Sequence, residues 1–229
     1  MKNILLSCCV AAALAQVSMA NPHEHSSDSH AHSQATQAHQ SPESAFIQEV
    51  LNLMHAPMME AKFTESGNPN IDFLQNMIPH HKGAILSSQK LLQSKDLHPK
   101  LKKIAKAIIS AQEKEIAYFT KLLRNEAQLR QEIDKEQYQQ FVQQAKRDMQ
   151  TMMQAMHKSS QESSSDDVQS AYMHSMIAHH QGAIDAAKQI LSISNNATIK
   201  KIANAIIAAQ ESEIKEFRAM LADTRNSTR

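Results

Sequence analysis

Two side-chain types stand out in this chain of 229 residues: 13 histidines and 13 methionines. They recur in a fixed pattern. Met77-Ile78-Pro79-His80-His81-Lys82-Gly83-Ala84-Ile85 returns 99 positions later as Met176-Ile177-Ala178-His179-His180-Gln181-Gly182-Ala183-Ile184. The stretch Ile104 to Ile116 returns 98 positions later as Ile202 to Ile214, carrying Gln112 and Glu115 onto Gln210 and Glu213. Across residues 77–92 and 104–123, 20 of 36 positions are identical between the copies. Soft thioether next to imidazole suits copper, and Cu(I) above all, better than it suits hard cations. Two plainer roles account for the same residues. Methionine stripes are adaptable core filler, and a His facing a Glu can be a structural hydrogen bond. The residue types alone leave both readings standing.

More donors follow the same logic. Met54, Met58 and Met59 close the segment before the first copy. Met149, Met152, Met153, Met156 and His157 recur at i, i+3, i+4, i+7 and i+8, one face of a helix. Met173 and His174 precede the second motif by a turn or less. Cysteine is not in competition with these donors. Cys8 and Cys9 both fall in an N-terminal stretch that reads as an export signal. In it, Lys2 gives the positive start, Ile4 to Val17 the apolar run, and Ser18-Met19-Ala20 the small residues of a cleavage site. Cleavage after residue 20 removes Met1 and Met19, leaving 11 of the 13 methionines and no thiol. The apolar run is too short to span a bilayer.

Residues 21–40 are His, Ser, Ala and Gln with almost nothing large and apolar, so they are expected to form a disordered lead. The lead carries His23, His25, His30, His32 and His39. Neutral imidazoles on a flexible tract bind borderline divalent ions such as Cu(II); a solvated linker is the alternative. A tight amino-terminal copper motif is ruled out by Pro22, which has no amide proton to lose.

These donors need rigid elements to hold them. Only 3 Gly, 6 Pro and 4% aromatic residues make a sandwich or barrel unworkable, and the composition favours helix. Ser41-Pro42-Glu43 starts a first helix that Pro57 should kink or end. Further helices are expected over about 70–93, 101–130, 134–158, 168–192 and 198–221. The expected fold class is all-α. Two duplicated hairpins form a four-helix bundle, with extra Met-rich helices leading into each. In domain terms, residues 1–20 are a signal peptide, 21–40 the lead and 41–229 a single helical domain. Its repeats cover about 41–130 and 131–229.

Periodicity turns the motif inward. Leu74, Ile78, His81 and Ile85 lie on one stripe, with His80 at its edge beside Met77. His81 and Glu115 are equidistant from a bend centred on residue 98. His180 and Glu213 are equidistant from one between 196 and 197. Each hairpin therefore sets a His opposite a Glu. A buried carboxylate needs a partner. Glu115 and Glu213, with Gln112 and Gln210, are placed to hold the imidazoles in orientation behind a metal.

With 24 basic and 23 acidic residues and no basic cluster, a nucleic-acid partner is excluded. The paired M-I-x-H-H and Q-x-x-E-I motifs resemble the exported bacterial family called domain of unknown function 305, over about residues 70–221. The resemblance implies a ferritin-like bundle outside the cytoplasm, with copper binding and copper resistance in some members. Met77, His80, His81, Met176, His179 and His180 are the motif residues. Ser88 and Ala187 stand where that family often has a further Met. This puts more weight on the Met54–Met59 and Met149–His157 segments. The function expected is periplasmic copper binding for sequestration, trafficking and resistance, through Met and His ligands and without enzymatic activity. Cu(I) and Ag(I) belong in the bundle and Cu(II) at the lead, with other periplasmic copper carriers or efflux proteins as partners. One alternative is a metal-free helical interaction module with structural His–Glu pairs. The other is a di-iron-type bundle enzyme, which requires Glu-x-x-His helices that the chain does not have.

Overall fold

The computed structural model describes residues 41–162 and 167–227; the expected signal and His-rich lead lie outside them. Six long helices make up the described chain: α1 (Pro42–Glu60), α2 (Pro69–Leu91), α3 (Pro99–Leu123), α4 (Lys135–Glu162), α5 (Val168–Ile193) and α6 (Ala197–Ser227). No strand occurs among the described residues, so the fold is all-α.

The helix ends follow local chemistry. The Ser41 hydroxyl accepts from the Ser44 amide at 3.1 Å, and Pro42 occupies the first turn, where its missing N–H costs nothing. Asn68 and Asp167 cap α2 and α5 in the same way. Two boundaries differ from expectation. Helix α1 does not stop at Pro57 but runs one turn further to Glu60, with the Pro57 carbonyl accepting from Ala61. Helix α3 ends at Leu123 instead of reaching toward residue 130. A short 3-10 turn over Glu126–Gln128 then drops Leu129 into the core. That buried leucine explains the early stop, because a continuing helix would carry it away from the core.

Helices α2 and α5 form the central pair. Helix α2 is flanked by α1 and α3, and α5 by α4 and α6; α1 also packs on α5, and α4 touches α2. Each half is thus a three-helix repeat, and the halves meet through their motif-bearing helices. The apolar residues fall into two clusters. One gathers Met54, Met156, Tyr172, Met176 and Phe217. The other gathers Leu74, Met77, Phe119, Ile190 and Ile206. On α2, Met77 belongs to one cluster and Ala84 to the other, so His80 and His81 lie in the layer between. On α5, Met176 and Ala183 bracket His179 and His180 in the same way.

The glycine of each motif permits close packing. A Cβ at Gly83 would strike the Met54 carbonyl oxygen, so the backbone of α1 rests directly on α2. A Cβ at Gly182 would strike the Met152 sulfur, so α4 rests on α5 through a side chain. The two contacts correspond under a shift of 98 to 99 residues, which extends the repeat to α1 and α4.

Candidate metal centre

Four imidazoles occupy the layer between the clusters. His81, His179 and His180 are fully buried and His80 nearly so. His80 and His179 meet across the α2–α5 seam with ring centroids 3.7 Å apart, tilted by 39°. The His80 Nε2 lies 3.1 Å from the His179 carbonyl oxygen. A carbonyl can only accept, so Nε2 carries the proton and Nδ1 keeps its lone pair. That Nδ1 is buried and has no hydrogen-bond partner. His179 is barer still, with neither ring nitrogen hydrogen-bonded. Burial, and then the neighbouring imidazoles, hold both His80 and His179 well below their ordinary pKa of 6.5. Both rings are therefore neutral at physiological pH, the state that ligates a metal.

The other two imidazoles face carboxylates. His81 Nε2 lies 2.8 Å from Glu115 Oε2, and His180 Nε2 lies 2.7 Å from Glu213 Oε2. The distances are short, but the oxygens stand off the N–H directions, and no aligned hydrogen bond forms at either ring nitrogen. The rings also pack against Phe119 and Phe217. Glu115 and Glu213 reach solvent along one edge, while Gln112 and Gln210 are buried with their Oε1 atoms unpartnered. Each carboxylate belongs to the imidazole of its own hairpin.

A cleft of about 100 Å³ opens beside this layer. Its lining includes Met58 from the end of α1, Met77 and His80 from α2, Met149 and Met152 from α4, and Gly182 of α5. Four methionines and one neutral imidazole thus line the same cleft. One side of the cleft is held rigid. The Thr64 amide donates to Asn76 Oδ1 at 2.8 Å, and the Asn76 amide donates back to the Thr64 carbonyl at 3.1 Å. The buried Asp72 accepts from the Ser66 amide and from the Tyr138 hydroxyl, at 2.7 and 2.6 Å. These bonds pin the α1–α2 loop, which also lines the cleft through Phe63.

The remaining candidates are distributed unevenly. Met54, Met156, Met173 and Met176 are enclosed in the core, and Met153 is partly buried. Met59 is 70% exposed, and His157 and His174 also lie at the surface. His23, His25, His30 and His32 lie outside the described residues. His55 is a residue that motif reading passed over. It buries Nε2 without a hydrogen-bond partner. Burial, and then His157 nearby, lower its pKa. Its place in the repeat, 98 residues before Met153, was the available signal. Among the described residues, no three His, Cys, Asp or Glu side chains converge in a way that could hold a metal.

The fold and its buried donors define a duplicated helical bundle with a histidine layer at its centre. Residues 70–221 match the family described as domain of unknown function 305 (DUF305), well over half of the chain, and the chain belongs to that family. No protein among the curated ones matches it. Two solved structures of CopM are similar, one in an Ag-bound form obtained by soaking and one in a Cu(I)-bound form. Each is 24% identical with a TM-score of 0.49, and each match covers 67% of this chain and 95% or 96% of the CopM chain. No described helix is long and apolar enough to cross a membrane.

Proposed function

We propose that this protein is an exported copper-binding protein that holds Cu(I), and equally Ag(I), in the thioether–imidazole cleft. It serves copper sequestration, trafficking and resistance and not catalysis. The observation that carries this reading is the shared lining of Met58, Met77, Met149, Met152 and His80. Thioether sulfur is a poor ligand for Zn(II) or Mg(II) and a good one for Cu(I). The neutral His80 ring, with its buried unpartnered Nδ1, adds one nitrogen donor. Gln189 and Asp148 at the cleft leave it open to a hydrated ion or a donor protein. Under this reading the first 20 residues direct export and are removed, and residues 21–40 collect Cu(II) through imidazole. Residues 41–229 form the working domain, and the partners are periplasmic copper carriers or efflux proteins.

The test is a Cu(I) titration of the full chain against a competing chelator. Changing Met58, Met77, Met149 and Met152 together to Leu keeps apolar volume and removes every sulfur lone pair from the cleft. Volume-conserving swaps of this kind cost under about 1.5 kcal/mol each, so the helical signal should survive. Loss of one tightly held Cu(I) is expected. A well-folded variant that keeps all its Cu(I) would return these methionines to the role of core filler.

A further inference from the structure

The two ends of the bundle correspond through the repeat, but they are finished differently. At the end formed by the start of α2 and the finish of α3, the α3–α4 connection folds over the core. Leu129 is buried there in one cluster with Leu74, and Leu122 packs against that cluster. Three side-chain amides hold the connection by its carbonyls. Asn70 donates to Leu129 at 2.7 Å, Asn196 to Gln128 at 2.9 Å and Asn68 to Gln131 at 3.0 Å. A shift of 98 or 99 residues carries this end onto the start of α5 and the far part of α6. There α6 stays helical through Ser227, past Leu221, the counterpart of the last residue of α3. A pocket of about 240 Å³ opens at the equivalent place.

The residues lining that pocket have been exchanged in a consistent direction. Met173 stands where the plugged end has Leu74, and Met220 where it has Leu122. His98 replaces Asn196, Asp167 replaces Asn68 and Asp223 replaces Asn125. Packing and capping do not require these changes, since Leu and Met have similar volumes and Asn caps a helix as well as Asp does. Each exchange adds a thioether, an imidazole or a negative charge. Lys100, opposite Thr198, is the one added cation, and it lies 3.8 Å from Glu216.

Met173 and Met220 are nearly buried and come from α5 and α6. His98 sits on the turn between α2 and α3 and is fixed at two points. Its amide donates to Gln169 Oε1 at 2.8 Å, which fastens the turn to the start of α5. Its Nδ1 accepts from the Lys100 amide at 3.2 Å. Nε2 is then the ring nitrogen left for a ligand, and a metal there takes the place of the proton of the neutral ring. Asp167 already accepts from the Gln169 and Ser170 amides. His98, Asp167 and Asp223 form no group that could hold a metal by themselves. The carboxylates therefore lend charge, and the coordinating atoms are two sulfurs and one nitrogen, a soft set that suits a d10 monovalent ion.

We propose that Met173, Met220 and His98 form a peripheral site for a soft monovalent cation, Cu(I) or Ag(I), in the open end of the second repeat, apart from the cleft and from the histidine layer. The proposal extends the copper-binding reading and rests on it for the identity of the ion, not for any ligand. The site is reached from solvent without passing through the bundle.

The first repeat supplies the test variant. His98→Asn, Met173→Leu and Met220→Leu together install the residues that the plugged end already carries, and Asn keeps a cap on α3. Titrated with Cu(I) against a competing chelator, the full-length triple variant should bind one ion fewer than the parent chain. The variant with the four cleft methionines changed to Leu should lose a different ion, and the combined variant should lose both. If only the cleft variant loses an ion, the peripheral site is wrong and the cleft reading stands. If only the triple variant does, the cleft reading fails and the peripheral site stands. If neither does, both fail. Should the triple variant unfold, the parent chain with labelled methionine methyl groups, titrated with Ag(I), decides. The Met173 and Met220 signals should move, and the single change His98→Asn should weaken that response while leaving the response of the cleft methionines as it was. Met173 and Met220 signals that stay fixed through excess Ag(I), or that respond equally without the imidazole, would overturn the proposal.

Discussion

Replacing Gly83 with Ala places a methyl group against the carbonyl oxygen of Met54, which belongs to the backbone of α1 and cannot rotate away. Helix α1 would have to move off α2. Overpacking a well-filled contact costs about 1–3 kcal/mol. An immovable backbone atom favours the upper part of that range. The same substitution gains roughly 1 kcal/mol from helix propensity. The net expectation for Gly83→Ala is a loss of about 1–2 kcal/mol. For a domain of this size each kcal/mol shifts the melting temperature by about 2–4 °C, so a fall of roughly 2–8 °C should be seen at 222 nm. Gly182→Ala is the matched control. Its new methyl group meets the flexible end of the Met152 side chain, which can swing aside. Stability should stay within about 1 kcal/mol of the parent, since the propensity gain offsets the crowding. The Met152 sulfur is pushed from its place in the cleft, however, so Cu(I) affinity should fall in this variant. A Gly83→Ala protein that melts at or above Gly182→Ala would refute the packing argument. A folded Gly182→Ala protein with undiminished Cu(I) affinity would refute the place given to Met152.

Three further outcomes can be checked. The buried imidazoles make the fold acid-sensitive: His80, His179 and His55 have folded pKa values below the ordinary 6.5. The unfolded chain therefore binds more protons, and their contribution is fully present above pH 6.5 and lost as the pH falls beneath it, by up to about 1.4 kcal/mol per pH unit for each group. Denaturant melts at pH 7.5 and 5.5 should show this slope, and His179→Gln should reduce it. Tyr172→Phe strands the Ser88 hydroxyl, which lies 2.7 Å from the Tyr172 oxygen in the core. It should cost about 1–2 kcal/mol, and adding Ser88→Ala should recover most of that, since the other repeat carries Phe73 and Ala187 at the equivalent places. Deleting residues 21–40 should lower Cu(II) loading and spare Cu(I), as measured by metal content after desalting. Equal loss of both ions would mean the donors have been divided wrongly.

What the sequence disclosed followed from period and repetition. The inward turn of His81 and His180 is written in the i, i+4, i+7 spacing of their helices. The contact of each with Glu115 or Glu213 follows from equal distance to the bend. The cleft was not readable in this way. Met77 joins Met149 and Met152 only because α4 crosses beside α2, a relation between distant segments that no local period encodes. Pairwise stacking of His80 on His179 likewise depends on how α2 and α5 cross. Pro57 misled for a related reason: the final turn of α1 continues past it to Glu60, and Met58 on that turn reaches the cleft. His55 escaped notice because its partner in the repeat is a methionine, so no matching histidine drew attention to it. The exposure of Met59 and His174 also runs against their donor chemistry, since a 100° step turns each away from the more buried Met58 or Met173 just before it.

The α2–α5 seam also sets an order of events. Contacts within each three-helix half are between neighbours in the chain and close short loops, which form quickly. The seam joins His80 to His179, 99 residues away, and must wait for the second half. A chain folding from its N-terminus as it is made or, under the proposed function, exported would complete α1, α2 and α3 while α5 is still unfolded. At that stage Met58 and Met77 have no Met149 or Met152 opposite them, and the cleft does not exist. Neither half alone carries the full set of lining residues. The last contact to form is the one that creates the donor set, so under the proposed copper-binding function the ion is acquired only after folding is complete.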